Sequence, residues 1–167
     1  MIPGFDPIID KNSRVLILGS FPGPVSLAVQ EYYGNKGNDF WRVMGDLLET
    51  DMHSMTFEEK KKTLLKNKIA LWDVYAQAHR VGSADANFVH VIYNDFASLF
   101  EEYPKIKLVL LEGTVPYKSF LELNIDKLFP RLKIYKIHST SGVNRRLNVK
   151  QKADIIRKIL LENDVKQ

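Results

Sequence analysis

Val15-Leu16-Ile17-Leu18 is an unbroken apolar run that empties directly into Gly19-Ser20-Phe21-Pro22-Gly23-Pro24. A strand with one wet face would alternate. A run with no polar residue suits a parallel strand covered on both faces. The two glycines that follow let backbone approach a ligand closely, and the two prolines stiffen the turn. The turn has neither a Gly-Lys-Ser/Thr ending nor G-x-G-x-x-G spacing, so no triphosphate or dinucleotide fingerprint is present. By itself it is a strand-end turn.

Working outward, the same pattern recurs. Ile69-Ala70-Leu71-Trp72 runs into Asp73, and Leu108-Val109-Leu110-Leu111 runs into Glu112-Gly113-Thr114. A fourth run, Leu132 to Ile137, is broken by Lys133 and Lys136 as at a sheet edge, and leads into His138 and a small, polar, then basic segment ending at Arg146. Helical patterns lie between these runs. Phe40, Val43, Met44, Leu47 and Leu48 share a face, and Thr56 with Glu59 makes a capping box ahead of Leu64 and Leu65. Phe96 to Tyr103 forms a face that stops before Pro104; Thr114 is placed to cap a short helix carrying Tyr117, Phe120 and Leu121; Ile155, Ile156, Ile159 and Leu160 form the last face. Strands alternating with helices predict an α/β fold: a three-layer α/β/α sandwich on a short, mainly parallel four-stranded sheet, in one domain over residues 1–167. Ligands in such folds bind outside the carboxyl ends of the strands, which is where the polar turn segments fall.

Composition narrows the chemistry. The 167 residues include no cysteine, which excludes disulfides, iron–sulfur clusters and Cys-ligated zinc. The histidines, His53, His79, His90 and His138, lack helix-face metal spacing, so neither a metal nor another cofactor is expected. No apolar run approaches the roughly 18 residues of a membrane span. The opening Met1-Ile2-Pro3-Gly4-Phe5-Asp6 does not have the pattern of a signal peptide. A cytoplasmic protein without a membrane partner is the expectation, and a monomer. The net charge is only +4, but residues 131–153 carry seven basic side chains and no acidic one. That run is either a solvated face or a phosphate-contacting patch, and its junction with Ser139, Thr140 and Ser141 favours phosphate.

The decapeptide Tyr32-Tyr33-Gly34-Asn35-Lys36-Gly37-Asn38-Asp39-Phe40-Trp41 holds four aromatics, two glycines and two asparagines, the latter being Asn35 and Asn38. Phe40 and Trp41 start an amphipathic helix and are expected in the core. Adjacent tyrosines cannot both easily face it, so one of them is free to stack on a base.

The order Gly19-Ser20-Phe21-Pro22, Tyr32-Tyr33-Gly34 with Asn38 just ahead of Phe40-Trp41, Leu71-Trp72-Asp73-Val74, then Ser139-Thr140-Ser141 with Asn144 resembles the uracil-DNA glycosylase superfamily, and within it the branch described as hypoxanthine-DNA (deoxyinosine) glycosylases. The resemblance covers about residues 14–148. It implies an α/β/α sandwich and a monofunctional DNA repair enzyme that flips a deaminated base out of damaged DNA and hydrolyses its N-glycosidic bond, hypoxanthine foremost and uracil second. Carried over by position, Asn38 becomes the catalytic residue, orienting the attacking water or holding the base through its amide; its alternative is a helix cap. His138 would donate to the leaving base, or be a structural loop histidine. Ser20, Phe21, Tyr33 and Asp73 would contact the base, Tyr33 by stacking and Asp73 by accepting from N1–H; the alternative for Asp73 is a helix N-cap. Gly19, Ser139, Thr140, Ser141, Asn144, Arg145 and Arg146 would contact DNA. The chain departs from the branch at His138 and Gly142, where proline is commoner, and at Glu112-Gly113, where Asn-Gly is expected. Two other classes fit parts of the pattern: a nucleic-acid-binding domain that has kept the fold, and a small-molecule nucleoside hydrolase.

Overall fold

A computed structural model describes residues 1–81, 87–143 and 146–166. In chain order its elements are β1 (Ile2–Pro3), β2 (Val15–Gly19), α1 (Pro24–Val29), α2 (Phe40–Leu48), α3 (Phe57–Lys66), β3 (Ile69–Asp73), β4 (Tyr75–Arg80), β5 (Phe88–Tyr93), α4 (Phe96–Glu102), β6 (Leu108–Glu112), α5 (Thr114–Glu122), α6 (Ile125–Leu128), β7 (Lys133–Ile137) and α7 (Val149–Glu162). All four predicted strands pair in one sheet of order β3-β2-β6-β7, parallel at every junction. The lysine-bearing β7 is an edge, as its broken pattern implies.

The apolar runs supply both faces of this sheet. Odd positions of β2 (Val15, Ile17) join Ile69, Leu71, Leu108 and Leu110 under α2, α3 and α7. Even positions (Leu16, Leu18) join Ala70, Val109 and Leu111 under α4, α5, α6 and part of a second sheet. This is the three-layer sandwich expected. The capping box at Thr56 and Glu59 is present. The cap expected at Thr114 is not: the N-cap is Gly113, in the left-handed region at φ 96°, and Thr114 is the first helical residue. A glycine tolerates that backbone where a threonine would strain it.

A second, three-stranded antiparallel sheet, β1-β4-β5, has no counterpart in the sequence pattern. It matters because β4 starts at Tyr75, one residue past the end of β3 at Asp73. Val74 and Tyr75 donate their N–H groups to the Gly19 and Ser20 carbonyls at 2.8 and 3.0 Å. The turn after β2 is thereby stitched to the turn after β3. No helix follows β3, which removes the helix-cap alternative for Asp73.

Candidate active site

The carboxyl ends of β2, β3, β6 and β7 converge on one cleft of about 510 Å³, a volume suited to a single base or nucleoside. Gly19 to Pro24, Tyr33, Asn38, Asp73, Glu112 and Ser139 to Val143 all line it. Two carboxylates, Asp73 and Glu112, are buried in it, each being the residue on which an apolar strand ends. Gly19 sits beside Asp73 and the tyrosine. A Cβ built there would lie 2.8 Å from Asp73 Oδ1 and 2.9 Å from the Tyr33 hydroxyl, so the site has room only for glycine.

The paired tyrosines part company. Tyr32 is buried, donates its hydroxyl to the Asp6 carbonyl at 2.7 Å, and takes the Trp41 indole N–H on its own carbonyl at 2.9 Å. Tyr33 adopts φ 53°, a left-handed backbone that turns its side chain toward the cleft floor. Its ring lies flat on Phe40, with centroids 4.0 Å apart and planes 10° apart, and its hydroxyl donates to Glu112 Oε2. Burial first, then the nearby Glu112 and Asp73 carboxylates, hold the Tyr33 phenol well above its ordinary pKa, so it is a neutral donor at any working pH.

Asn38 is half-buried at the cleft lip. Its Oδ1 accepts from the Phe40 N–H at 2.8 Å, satisfying one of the unpaired amides at the start of α2. Because an N–H must meet the carbonyl oxygen and not the NH₂, the amide orientation is fixed. Nδ2 is left as a donor on a cleft-lining side chain. The adjacent Asp39 occupies the N-cap position without a side-chain cap bond and pairs instead with Arg42 at 3.2 Å.

The loop after β7 forms the adjoining wall. Thr140 is buried; its hydroxyl donates to Glu112 Oε1 at 2.7 Å and its carbonyl accepts from the Asp39 N–H at 2.9 Å. Ser139 Oγ accepts from Ser141 N–H, and Ser141 Oγ from Val143 N–H, which leaves both hydroxyl protons to donate outward. Val143 stands 93% exposed on the rim, an unusual posture for a valine.

A family model described as Uracil DNA glycosylase superfamily matches residues 7–160. The chain belongs to that superfamily. Among relatives, a Hypoxanthine DNA glycosylase of Methanosarcina barkeri is 43% identical over 145 residues, 86% of this chain and 88% of that protein. A Hypoxanthine DNA glycosylase of Methanosarcina acetivorans is 37% identical over 155 residues, covering 90% and 93%. A solution NMR structure from Methanosarcina acetivorans, provisionally described as a uracil DNA glycosylase, superposes with TM-score 0.80 at 35% identity, over 94% of this chain and 97% of that one.

Within this superfamily fold, most of the predicted site residues do meet. Gly19, Ser20, Phe21, Tyr33, Asn38, Asp73, Ser139, Thr140 and Ser141 share the cleft. His138 does not line it: it is half-buried just past the end of β7. Arg146 is exposed and off the cleft, and Asn144 and Arg145 lie outside the described residues. The basic run is less uniform than its composition implies. Arg131 is spent on the Phe100 and Ile106 carbonyls, at 2.7 and 3.0 Å, and Lys152 is buried. Three contributors escape sequence reasoning. Glu112 stands out there only as a departure from the branch, although it ends its strand as Asp73 does. Arg80 lines the cleft from β4, its guanidinium over Phe88 and Phe21 and donating to the Pro22 carbonyl at 2.7 Å. Val143 carries no signal beyond its place between Gly142 and Asn144.

Proposed function

We propose that this cleft receives a deaminated base flipped out of damaged DNA, hypoxanthine before uracil, and hydrolyses its N-glycosidic bond without a covalent intermediate. The observation that carries the reading is the Asn38 amide, whose Oδ1 is held by the Phe40 N–H and whose side chain lines the strand-end cleft of a uracil DNA glycosylase superfamily member. Cleavage leaves the bonding electron pair on the base and oxocarbenium character on the sugar. A fixed donor that meets the developing negative charge lowers the barrier because it needs no reorganisation. Asp73, as an acceptor, suits the N1–H of hypoxanthine. Tyr33, backed by Phe40, walls the base, and Phe21, with the Arg80 guanidinium over its ring, is a second aromatic wall. A hypoxanthine mispair costs less to open than a matched pair, which adds selectivity before chemistry begins.

The hydroxyls of Ser139 and Ser141 fit phosphate oxygens, and Asn144, Arg145 and Arg146 are assigned to phosphate contact from the sequence alone. Replacing Arg145 and Arg146 by Ala is expected to weaken binding to every duplex sequence alike. The log–log salt slope should fall by about one unit for each phosphate no longer neutralised. An unchanged slope in a salt titration would make this end of the chain a solvated face.

Val143 is suited to fill the gap left by the flipped nucleotide. Val143→Gly is expected to slow excision from a duplex roughly tenfold, part of an unstacking cost of a few kcal/mol, while sparing a single-stranded substrate. Equal losses on both substrates would remove the wedge role. Cytoplasmic location, a single domain and a monomeric enzyme complete the proposal. Among the described residues no helix is long and apolar enough to cross a membrane.

The test is one gel. End-labelled duplexes carrying a single hypoxanthine, uracil or xanthine are incubated with excess enzyme, treated with alkali, and run beside reactions on free deoxyinosine. Strand breaks at hypoxanthine support the reading. Binding without breaks would favour a non-catalytic domain, and cleavage of the free nucleoside alone would favour a small-molecule hydrolase.

A further inference from the structure

Asn38 sits inside a closed ring of interactions, and the ring runs through Glu112. The peptide after Asn38 hangs by its N–H on the Thr140 carbonyl. The Thr140 hydroxyl is fixed to Glu112 Oε1. Glu112 Oε2 accepts from the Tyr33 hydroxyl, and the Tyr33 ring lies flat on Phe40. Phe40 returns its N–H to Asn38 Oδ1. The two oxygens of one buried carboxylate thus hold the two segments between which Asn38 is suspended, one from the loop ahead of α2 and one from the loop after β7. A carboxylate is the only side-chain group of this length that can accept from two hydroxyls on two separate oxygens.

We infer that Glu112 is a positioning residue that sets the Asn38 amide by tying the Tyr33 and Thr140 hydroxyls to a single anchor. The inference rests on the reading of Asn38 given above and deepens it. Glu112 itself transfers nothing and forms no bond to the base; it works through the two hydroxyls. It follows that the wall after β7 and the wall carrying Asn38 cannot shift independently. A displacement of about 1 Å at a reacting group can cost about 100-fold in rate, which sets the scale of the effect.

Thr140→Val keeps the shape and the backbone carbonyl but deletes one hydroxyl; Tyr33→Phe keeps the ring stack and deletes the other. Each is expected to slow single-turnover excision of hypoxanthine roughly 10- to 100-fold at saturating enzyme, with half-saturation for DNA shifting less than about threefold. Thr140→Ser, which restores the hydroxyl, is expected to recover most of the rate. Combined with Asn38→Ala, neither substitution should slow the reaction further, because the group they position is gone. Glu112→Gln should reproduce the pattern if it folds, and the hydroxyl deletions decide the matter if it does not. Losses that multiply with Asn38→Ala, a defect confined to DNA affinity, or a wild-type rate in Thr140→Val would each overturn the inference while leaving the role of Asn38 intact. Wild-type excision by Asn38→Ala would instead overturn the reading on which it rests.

Discussion

Asn38→Asp is expected to slow single-turnover excision of hypoxanthine roughly 100- to 1,000-fold, or about 2.7–4 kcal/mol in the transition state, while leaving thermal stability unchanged. The substitution is chosen from the geometry. Oδ1 accepts from the Phe40 N–H at the start of α2, and a carboxylate oxygen accepts there equally well. Negative charge at a helix N-terminus is favourable, so the fold has no reason to suffer. What changes is the other atom: a donor NH₂ becomes an anionic oxygen, which on the proposed reading meets a base that is gaining electrons. Asn38→Ala removes both functions and should combine the rate loss with about 0.5–2 kcal/mol of lost stability from the helix end. The Asp variant separates the two proposed roles of Asn38. Were the residue chiefly a water-positioning group, a carboxylate would serve as the stronger base, and the rate would hold or rise. Melting curves and enzyme-excess time courses on a hypoxanthine duplex decide between these outcomes.

Gly19→Ala is expected to cost roughly 100-fold in excision, with a destabilisation of about 1–3 kcal/mol. Its Cβ would fall 2.8 Å from Asp73 Oδ1 and 2.9 Å from the Tyr33 hydroxyl, both closer than carbon and oxygen can sit. Asp73 is a short side chain at the end of β3, and Tyr33 is held by Phe40 and Glu112, so neither yields without dragging part of the site with it. The motif alone assigns Gly19 to DNA contact. Its place against Asp73 and Tyr33 in the cleft suits it instead to be a spacer for the groups proposed to read the base. If Gly19→Ala retained full activity and lost only DNA affinity, the motif assignment would be restored.

How much of this is legible in the sequence follows from how each element achieves its burial. β2, β3 and β6 are buried on both faces, so their sequences are apolar almost throughout and can be read without a partner in view. Their last residues, Gly19, Asp73 and Glu112, are therefore locatable as strand ends, and with them the cleft. β4 has no such signal. In Tyr75-Ala76-Gln77-Ala78-His79-Arg80 only Tyr75 and Ala78 are buried, and this spacing does not alternate as a half-buried strand should, because the register with β5 shifts between Tyr75 and Gln77 and again between His79 and Arg80. Arg80 is hidden along with its strand. The aromatic decapeptide shows that its two tyrosines cannot both easily face the core. It cannot show which of them does, since the choice turns on a left-handed backbone at a residue other than glycine. The ring through Glu112 is invisible for a different reason: its members come from β6, the loop before α2 and the loop after β7, and only the folded sheet brings them together.

The strand order also bears on how the molecule comes into being. The central strand β2 pairs with β3 and β6, both far along the chain, and β7 docks at the edge of the sheet on β6. Parallel pairings of this kind meet the entropy of closing long loops before they gain any stabilisation, so such folds form slowly compared with helical bundles. The cleft draws on all four strand ends, and no subset of neighbouring segments contains it. A nascent or partly refolded chain that has its helices and its first strand pair still lacks the wall carrying Thr140. The complete site therefore forms only when the last strand is in place.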